Sequence, residues 1–510
     1  MLPTLLKPVD KLIDSITMYR LLMYYLSGLL AVAVIFSFAG IMHYNPLAIV
    51  GSALTAVVAC WLINKLLAAI FNAPINPESS ILTGLILALI ISPGTNIYGF
   101  LFLIAASGLA MGSKYLLTIK GKHIFNPAAV AVFLTAIGPH QSASWWVGTA
   151  SMLPFVIVGG ILVTRKVRRG SMVFSFLAAT TAATLLFAVI GGTGIMMTLQ
   201  NMVLNSAAFY LGFVMLTEPY TSPTNRNLQI WYAIIVGVIL APQAHVGHYY
   251  STPEFALVIG NLFAYITGHK VKLFPRLLSK RRISIDSAEF SFAPSQPLAY
   301  LPGQYMEWTL PHPDADSRGV RRYFTLASSP TEREIKIGVK FYEDGSSFKN
   351  SLLEIEQSTP IVAAQLSGDF ILPDDPTSKL VFIAGGIGIT PFRSMIKYLT
   401  DKRESRDIHL LYSVRQENEL AYRTDLAEAK QAIGLKVTYV ITGRERQFGR
   451  DHVMAGRIDG DLVSRIIPDY HDRIFYISGT QAMVDGVQQS LHSLGISRSQ
   501  IKTDFFPGFA

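Results

Sequence analysis

Apolar residues fall in long runs over the first 270 positions and in short alternating bursts after that. The runs lie near 19–42, 47–63, 79–92, 97–113, 127–138, 146–164, 172–190, 197–216, 229–242 and 255–268. Runs of this kind predict a polytopic α-helical membrane domain of about ten spans. Several are shorter than the ~20 residues that cross a bilayer, so these must pack inside the bundle or belong to broken helices. The run at 19–42 is too long for a cleavable leader and lacks a small-residue cleavage pattern. Two short runs open beside proline, at Pro127 and Pro253. They lie five spans apart and so enter from opposite sides, as an inverted five-plus-five repeat requires.

Charge fixes the orientation of this layout. Residues 1–270 carry 13 Lys/Arg and 5 Asp/Glu, and the remaining 240 carry 30 and 29. The net charge of +9 therefore belongs almost wholly to the apolar half. That argues for membrane topology and against a nucleic-acid partner. Lys7, Lys11, Arg20, Lys65, Lys114, Lys120, Lys122, Arg165, Lys166, Arg168, Arg169, Arg226 and Lys270 all fall on one side of a ten-span arrangement. The loops of the other side carry none. The positive-inside rule then predicts a bacterial cytoplasmic (inner) membrane protein with both termini, and everything after residue 270, in the cytoplasm.

The single cysteine, Cys60, cannot build an iron–sulfur or zinc site within one chain, and no metal site is expected. Bis-histidine haem needs facing pairs of histidines inside spans. His43, His123, His140, His245, His248 and His269 lie instead at span ends or in loops.

Two segments of the apolar half carry a resemblance: His123-Ile124-Phe125-Asn126-Pro127-Ala128, and Phe213 to Pro223, which contains Thr217-Glu218-Pro219. They resemble the family of the B subunit of the sodium-pumping NADH:quinone reductase and the D subunit of the Rnf complex. The resemblance covers most of residues 20–268. It implies a ten-helix inverted-repeat fold and a role in membrane electron transfer. Those subunits usually esterify FMN to a Thr in an outer loop after the Asn-Pro-Ala helix. Here the matching loop, Gly138 to Ser144, has no such segment. That speaks against covalent FMN and leaves a non-covalent flavin (FMN or riboflavin) or a quinone.

Residues 271–282 read as a basic linker, and the pattern then shifts to short strands and turns. Three pieces follow in order: Leu301-Pro302-Gly303-Gln304-Tyr305, Arg322 to Pro330, and Gly345-Ser346-Ser347-Phe348. In Arg322-Tyr323-Phe324-Thr325, the aromatic can stack on a planar ring system, the hydroxyl can bond a ring nitrogen and the arginine can pair with a pyrophosphate. Gly345, Ser346 and Ser347 let backbone N–H groups approach a phosphate. Together the pieces resemble the FAD-binding antiparallel β-barrel of the ferredoxin–NADP reductase family, over 283–373. Phe324 stands where that family most often has Tyr.

Over 374–510 a doubly wound α/β nucleotide-binding domain is expected. An apolar strand, Leu380–Ala384, runs into Gly385-Gly386-Ile387-Gly388-Ile389-Thr390-Pro391 and then a helical pattern. A buried strand, a glycine turn and a helix N-terminus make a pyrophosphate site. Ser413 and Arg415 close the second strand, where an adenosine ribose would sit. Ser478-Gly479-Thr480-Gln481-Ala482-Met483 resembles the family's Cys-Gly-Pro-x-x-Met stretch. That resemblance places Ser478 beside the reacting carbon, with Gly479 and Met483 at the cofactor. The aromatic tail, with Phe509, would cover the flavin or simply pack at the domain seam.

The resemblances imply a membrane-bound oxidoreductase. Cytoplasmic NAD(P)H, with NADH preferred, would reduce FAD, with Thr325 and Ser478 at the reacting atoms. An acceptor in or across the membrane would follow: a quinone, a membrane flavin, or an extracytoplasmic acceptor protein. Two other classes stay open: a solute transporter or channel regulated by a reductase domain, and a haem-bearing ferric or oxygen reductase.

Overall fold

The computed structural model describes residues 16–504 together with Val9 and Ile13. It omits 72–76, 120–121, 139–140, 242–244, 247–248, 269–271, 317–318, 344 and 444–452. The chain divides into two compact units, 1–270 and 271–510.

Unit 1 is helical: α1 (Met18–Phe38), α2 (Pro46–Ile70), α3 (Pro77–Ile90), α4 (Ile97–Leu116), α5 (Pro127–Ile137), α6 (Leu153–Val167), α7 (Gly170–Ile190), α8 (Ile195–Leu204), α9 (Arg226–Leu240) and α10 (Pro253–Thr267). Four of them, α1, α2, α4 and α7, are long and apolar enough to cross a membrane. Large apolar side chains such as Leu47, Ile70, Phe174 and Ile190 stand exposed on these helices, as a lipid-facing surface requires.

The helices start where the sequence supplies caps. Asn45, Asn126 and Thr252 cap α2, α5 and α10 with side-chain oxygens, and each is followed by proline at the first helical position. α5 and α10 pack antiparallel: Asn126 at the start of α5 meets Asn261 late in α10, and Phe133 late in α5 stacks on Phe255 early in α10.

Two expected spans differ. The run from 146 does not become helical until Leu153. Trp146 is plugged among backbone carbonyls, its indole donating to Ala88 O and Ile91 O at 3.0 Å, and Gly148 lies flat against Ser206 O. The run 197–216 is broken at Asn205–Ala207 and resumes as a π-helical turn, Leu211–Met215. Gly212 lets that turn press on Phe176.

Unit 2 begins with an antiparallel barrel made of two three-stranded sheets. β1 (Arg276–Arg282), β2 (Ser287–Ala293) and β5 (Ile335–Lys340) form one in the order β1-β2-β5. β3 (Tyr305–Thr309), β4 (Arg321–Thr325) and β6 (Val362–Ser367) form the other in the order β6-β3-β4. Backbone bonds between Leu273 and Ala363 close one seam, and Ala327 N to Lys336 O at 2.8 Å closes the other. A short helix, α11 (Ser347–Glu354), covers the barrel with Phe348 and Leu352. The expected basic linker is therefore corrected. Most of 271–282 is strand β1, with Leu277 turned into the core and the basic residues left in solvent.

The second half of unit 2 contains β7 (Lys379–Gly385), α12 (Thr390–Lys402), β8 (Ile408–Val414), α13 (Arg423–Ile433), β9 (Lys436–Ile441), β10 (Val453–Ala455), α14 (Gly460–Ile466), β11 (Arg473–Ser478), α15 (Gln481–Ser493) and β12 (Ile501–Asp504). The strands form one parallel sheet in the order β10-β9-β8-β7-β11-β12. β7 is buried on both faces, with Leu380, Phe382 and Ala384 in one core cluster and Val381 and Ile383 in the other.

Candidate functional site

The strand order places a topological switch at β7. The chain winds from β7 through β8, β9 and β10 to one edge, then returns to lay β11 on the other side of β7. The crevice beyond the carboxyl ends of β7 and β11 is where such sheets take ligands. β7 ends in Gly385 there, and Gly479 directly follows the last residue of β11. Gly385 packs so closely on Met483 that a Cβ would lie 2.1 Å from its sulfur, and a Cβ on Gly388 would lie 2.5 Å from Ser478 O. Gly386, at φ +53°, turns the chain between them and opens a short 3₁₀ turn, Gly386–Ile389, that feeds α12. Thr390 Oγ1 donates back to Ile387 O at 3.1 Å, and Pro391 sits in the first helical turn. Gly385, Gly386, Gly388, Thr390, Pro391, Ser478, Gly479 and Met483 thus lie together at this end of the sheet. The cradle has the shape for a pyrophosphate: bare backbone at a helix start, with no room for side chains.

Ser413 lies beside Gly385 in the β7–β8 register. Arg415 follows on the surface, its amide 3.5 Å from Glu419 Oε2. Phe509 lies outside the described residues.

The barrel presents the second half of the site. β4 alternates, so Arg322 and Phe324 point to one side and Tyr323 and Thr325 to the other. Arg322 lies 5.3 Å over the Phe348 ring of α11, and Phe324 lies 5.9 Å from the same ring. The structure does not group Tyr323 with them. Strand alternation turns it to the opposite face, where its hydroxyl donates to Glu307 at 2.9 Å. Thr325 is buried. Ser346 caps α11, and the Ser347 amide at its first turn faces a carboxylate, that of Asp316, at 3.0 Å. An arginine and a helix-start amide turned on one anion match the donor set that a dinucleotide phosphate needs.

Sequence reading missed what latches the halves of unit 2 together. Gly338 of β5 sits against Thr390, Ile387 and the Tyr422 hydroxyl, with no room for a Cβ. From α12, Arg393 donates to Ala327 O at 3.1 Å, pairs with Glu332 and reaches Asp425 at 2.8 Å. Ser394 donates to Ser328 O at 2.6 Å. The helix that follows the glycine turn therefore grips the end of the Arg322–Pro330 stretch. Burial works against both charges of the pair. Even so, hydrogen bonding and the charge of Arg393 hold the Glu332 carboxyl below its ordinary value, and Arg393 is held above its own.

Unit 1 holds a second polar cluster that its apolar pattern concealed. Asn126 Nδ2 donates to Glu218 Oε2 at 2.7 Å, and Thr221 donates to the same oxygen at 3.2 Å. Asn261 joins the Asn126 amide, Thr221 O and the Tyr232 hydroxyl. His123 lies 3.9 Å from Glu218 and stacks on Tyr220, with ring planes 18° apart. Beside them opens a small, partly open pocket lined by Ile119, His123, Tyr220, Thr221, Ser222 and Tyr265 among others. Asn126 and Glu218 belong to the two signature segments, but their meeting across 92 positions is not readable from either segment.

Fold and site together define unit 2 as an antiparallel barrel followed by a dinucleotide-binding α/β domain. Comparison with known proteins adds the rest. Residues 382–489 match the oxidoreductase NAD-binding domain, and residues 146–272 match the NQR2, RnfD, RnfE family. The chain thus joins a segment similar to the NQR2, RnfD, RnfE family to a segment similar to oxidoreductase NAD-binding domains. The glycine betaine monooxygenase reductase subunit of Chromohalobacter salexigens is 26% identical over 226 residues, 43% of this chain and 60% of that protein. The flavohemoprotein of Bacillus subtilis is 28% identical over 237 residues, 45% of this chain and 58% of that protein. The FAD/NAD-binding domain of a Vibrio cholerae nitric oxide dioxygenase superposes with a TM-score of 0.40 at 20% identity, covering 46% of this chain and 98% of that domain. The chain spans about three fifths of the length of the curated relatives it matches.

Proposed function

We propose that this protein is a membrane-bound NAD(P)H dehydrogenase that moves electrons from cytoplasmic NAD(P)H, through FAD, to an acceptor held by the membrane unit. The observation that carries this reading is the paired cradle. Gly385, Gly388 and Gly479 meet at the sheet's switch point, and α12 fastens that point to the strand bearing Arg322 and Phe324. FAD, when bound, supplies the step from two-electron nicotinamide chemistry to one- or two-electron delivery.

The chain's own groups do the rest. Arg322 and the Ser347 amide would hold the pyrophosphate of the flavin dinucleotide, and Phe324 would offer it an aromatic face. The glycine turn and the start of α12 would hold the nicotinamide dinucleotide. Ser478, buried at the end of β11, borders the place of transfer. A buried serine there orients the reactant and keeps water away; the reaction asks for positioning rather than an acid or base.

The ten-span, inverted-repeat topology is part of this proposal. Segments that the charge pattern assigns to one side come together: Ile119, His123 and Ile124, Tyr220 to Thr224, and Ala264, Tyr265 and Gly268 line the pocket. Those assigned to the other side also meet: Trp145 donates to Glu254 at 3.0 Å, Tyr44 packs on Trp146, and Gly94 donates to Ser52. Electrons do not cross ~30 Å of hydrocarbon without a carrier. The hydroxyls and aromatic rings that line the pocket beside His123 and Tyr220 are groups that would bind the polar head of a quinone or a non-covalent flavin.

The test is extraction and quantification of cofactors from detergent-purified full-length protein, with anaerobic mixing against NADH. FAD at one per chain, bleached by NADH, supports the reading; a second flavin or a bound quinone places the onward carrier. Purified protein that holds haem, or that binds no FAD when it is supplied, rules the reading out.

A further inference from the structure

The two groups assigned to the FAD pyrophosphate are not idle in this chain, because an internal carboxylate joins them. Asp316 Oδ2 accepts the Ser347 amide at 3.0 Å, at the first turn of α11. Its Oδ1 lies 3.7 Å from Arg322 Nη2. The contact is reciprocal, since the Asp316 amide donates to Ser347 Oγ at 3.0 Å, and the His312 ring meets that same oxygen at 3.0 Å. One carboxylate therefore bridges a guanidinium and a helix-start amide, the arrangement in which a phosphate is held.

We propose that Asp316 is a built-in substitute for the dinucleotide phosphate, its carboxylate occupying the barrel's anion site and yielding that site when FAD binds. The inference rests on the flavin reading above. Its consequence is a conformational tax: the chain is competent for FAD only in the fraction of time when Asp316 has left Arg322 and Ser347, and the apparent affinity falls by that fraction. Removing the carboxylate charge removes the competition. Asparagine is a mild change, because its amide oxygen can still accept from the Ser347 amide.

The test is titration of FAD onto deflavinated full-length protein in detergent, read by quenching of flavin fluorescence. Asp316→Asn is expected to bind FAD about five- to tenfold more tightly than the parent, through loss of the competing state. Asp316→Ala, which deletes the cap as well as the charge, is expected to tighten binding too. Asp314→Asn, an equal charge change at an exposed position in the same loop, should stay within about twofold of the parent, since exposed charges are largely screened. Without FAD, Asp316→Asn should melt a few degrees lower than the parent, and its stabilisation by saturating FAD should be larger. Unchanged or weaker binding by both Asp316 variants would show that the residue is a structural cap and overturn the proposal alone. Failure of the parent itself to bind FAD would sink the flavin reading and this inference with it.

Discussion

Gly388 carries the sharpest single-residue demand in the reductase unit. A methyl group there would sit 2.5 Å from Ser478 O, and that atom is backbone, so nothing flexible can yield. Gly388→Ala should therefore push β11 away from the glycine turn at a cost of about 1–3 kcal/mol. The expected result is a fall of tenfold or more in the rate of NADH-driven flavin bleaching in stopped flow, a size that matches this energy. FAD content should stay near the parent's, because the barrel half is untouched. A second residue-scale expectation concerns cofactor choice. Glu419 lies 3.5 Å from the Arg415 amide and 3.3 Å from Lys340 Nζ, which puts a carboxylate at the end of β8. A 2′-phosphate there would meet that charge, so kcat/KM for NADH should exceed that for NADPH by about tenfold, the order of one screened like-charge contact. Glu419→Gln should narrow the gap, as steady-state kinetics with both nucleotides would show. What could be proposed from sequence is contiguous chemistry: Arg322-Tyr323-Phe324-Thr325 and Gly385 to Pro391 each carry their own spacing, although strand alternation turns Tyr323 away from Arg322 and Phe324. Sequence reading failed for pairs that only folding brings together, such as Ser347 with Asp316, 31 positions apart.

Elements are joined in unit 2 by ion pairs that a pattern of short strands cannot announce. Arg393 on α12 meets Glu332, 61 positions away, and Asp425 on α13. Its side chain is only 4% exposed, so the pair is buried, and removing one partner strands a charge. Arg393→Ala should cost about 3–5 kcal/mol, the range for breaking a buried pair. Denaturant melts of detergent-purified protein, followed by flavin fluorescence, would measure the loss as early release of FAD. The pH dependence follows from the depressed Glu332 carboxyl. Its contribution is complete above the unfolded-state value of about 4.3 and is lost as pH falls below that, through the lower folded-state value. Flavin release on acidification should therefore steepen below roughly pH 4 in the parent, and less so in Glu332→Gln. Helices of unit 1 were legible because hydrophobic runs are long and their caps are local: Asn126-Pro127 and Thr252-Pro253 mark two starts directly. The π-helical turn at Leu211–Met215 was not legible, because it depends on Gly212 meeting Phe176 on another helix. Strand β1 was misread as linker because its basic residues hide a single inward leucine, Leu277.

At the scale of the whole molecule, direction matters most: a dehydrogenase fed from the cytoplasm works only if the reductase unit lies on the side where nicotinamide nucleotides are. The proposed orientation rests on the charge asymmetry in the first 270 residues. The chain offers a direct way to check, because Cys60 is its only cysteine and is buried. In a Cys60→Ala background, a cysteine placed at exposed Ser142 should react with a membrane-impermeant maleimide added to intact spheroplasts. One placed at exposed Asn227, beside Arg226, should react only after the membrane is opened. Thr377, exposed in the turn before β7, should behave like Asn227 when replaced by cysteine. Labelling of the Asn227 and Thr377 positions from outside would invert the topology and leave the reductase without its donor. Labelling of Asn227 and Thr377 from opposite sides would mean an odd number of crossings between them and would overturn the ten-span arrangement. The ten-span arrangement requires the two sites to share a face, and the predicted flow of electrons requires that face to be the cytoplasmic one.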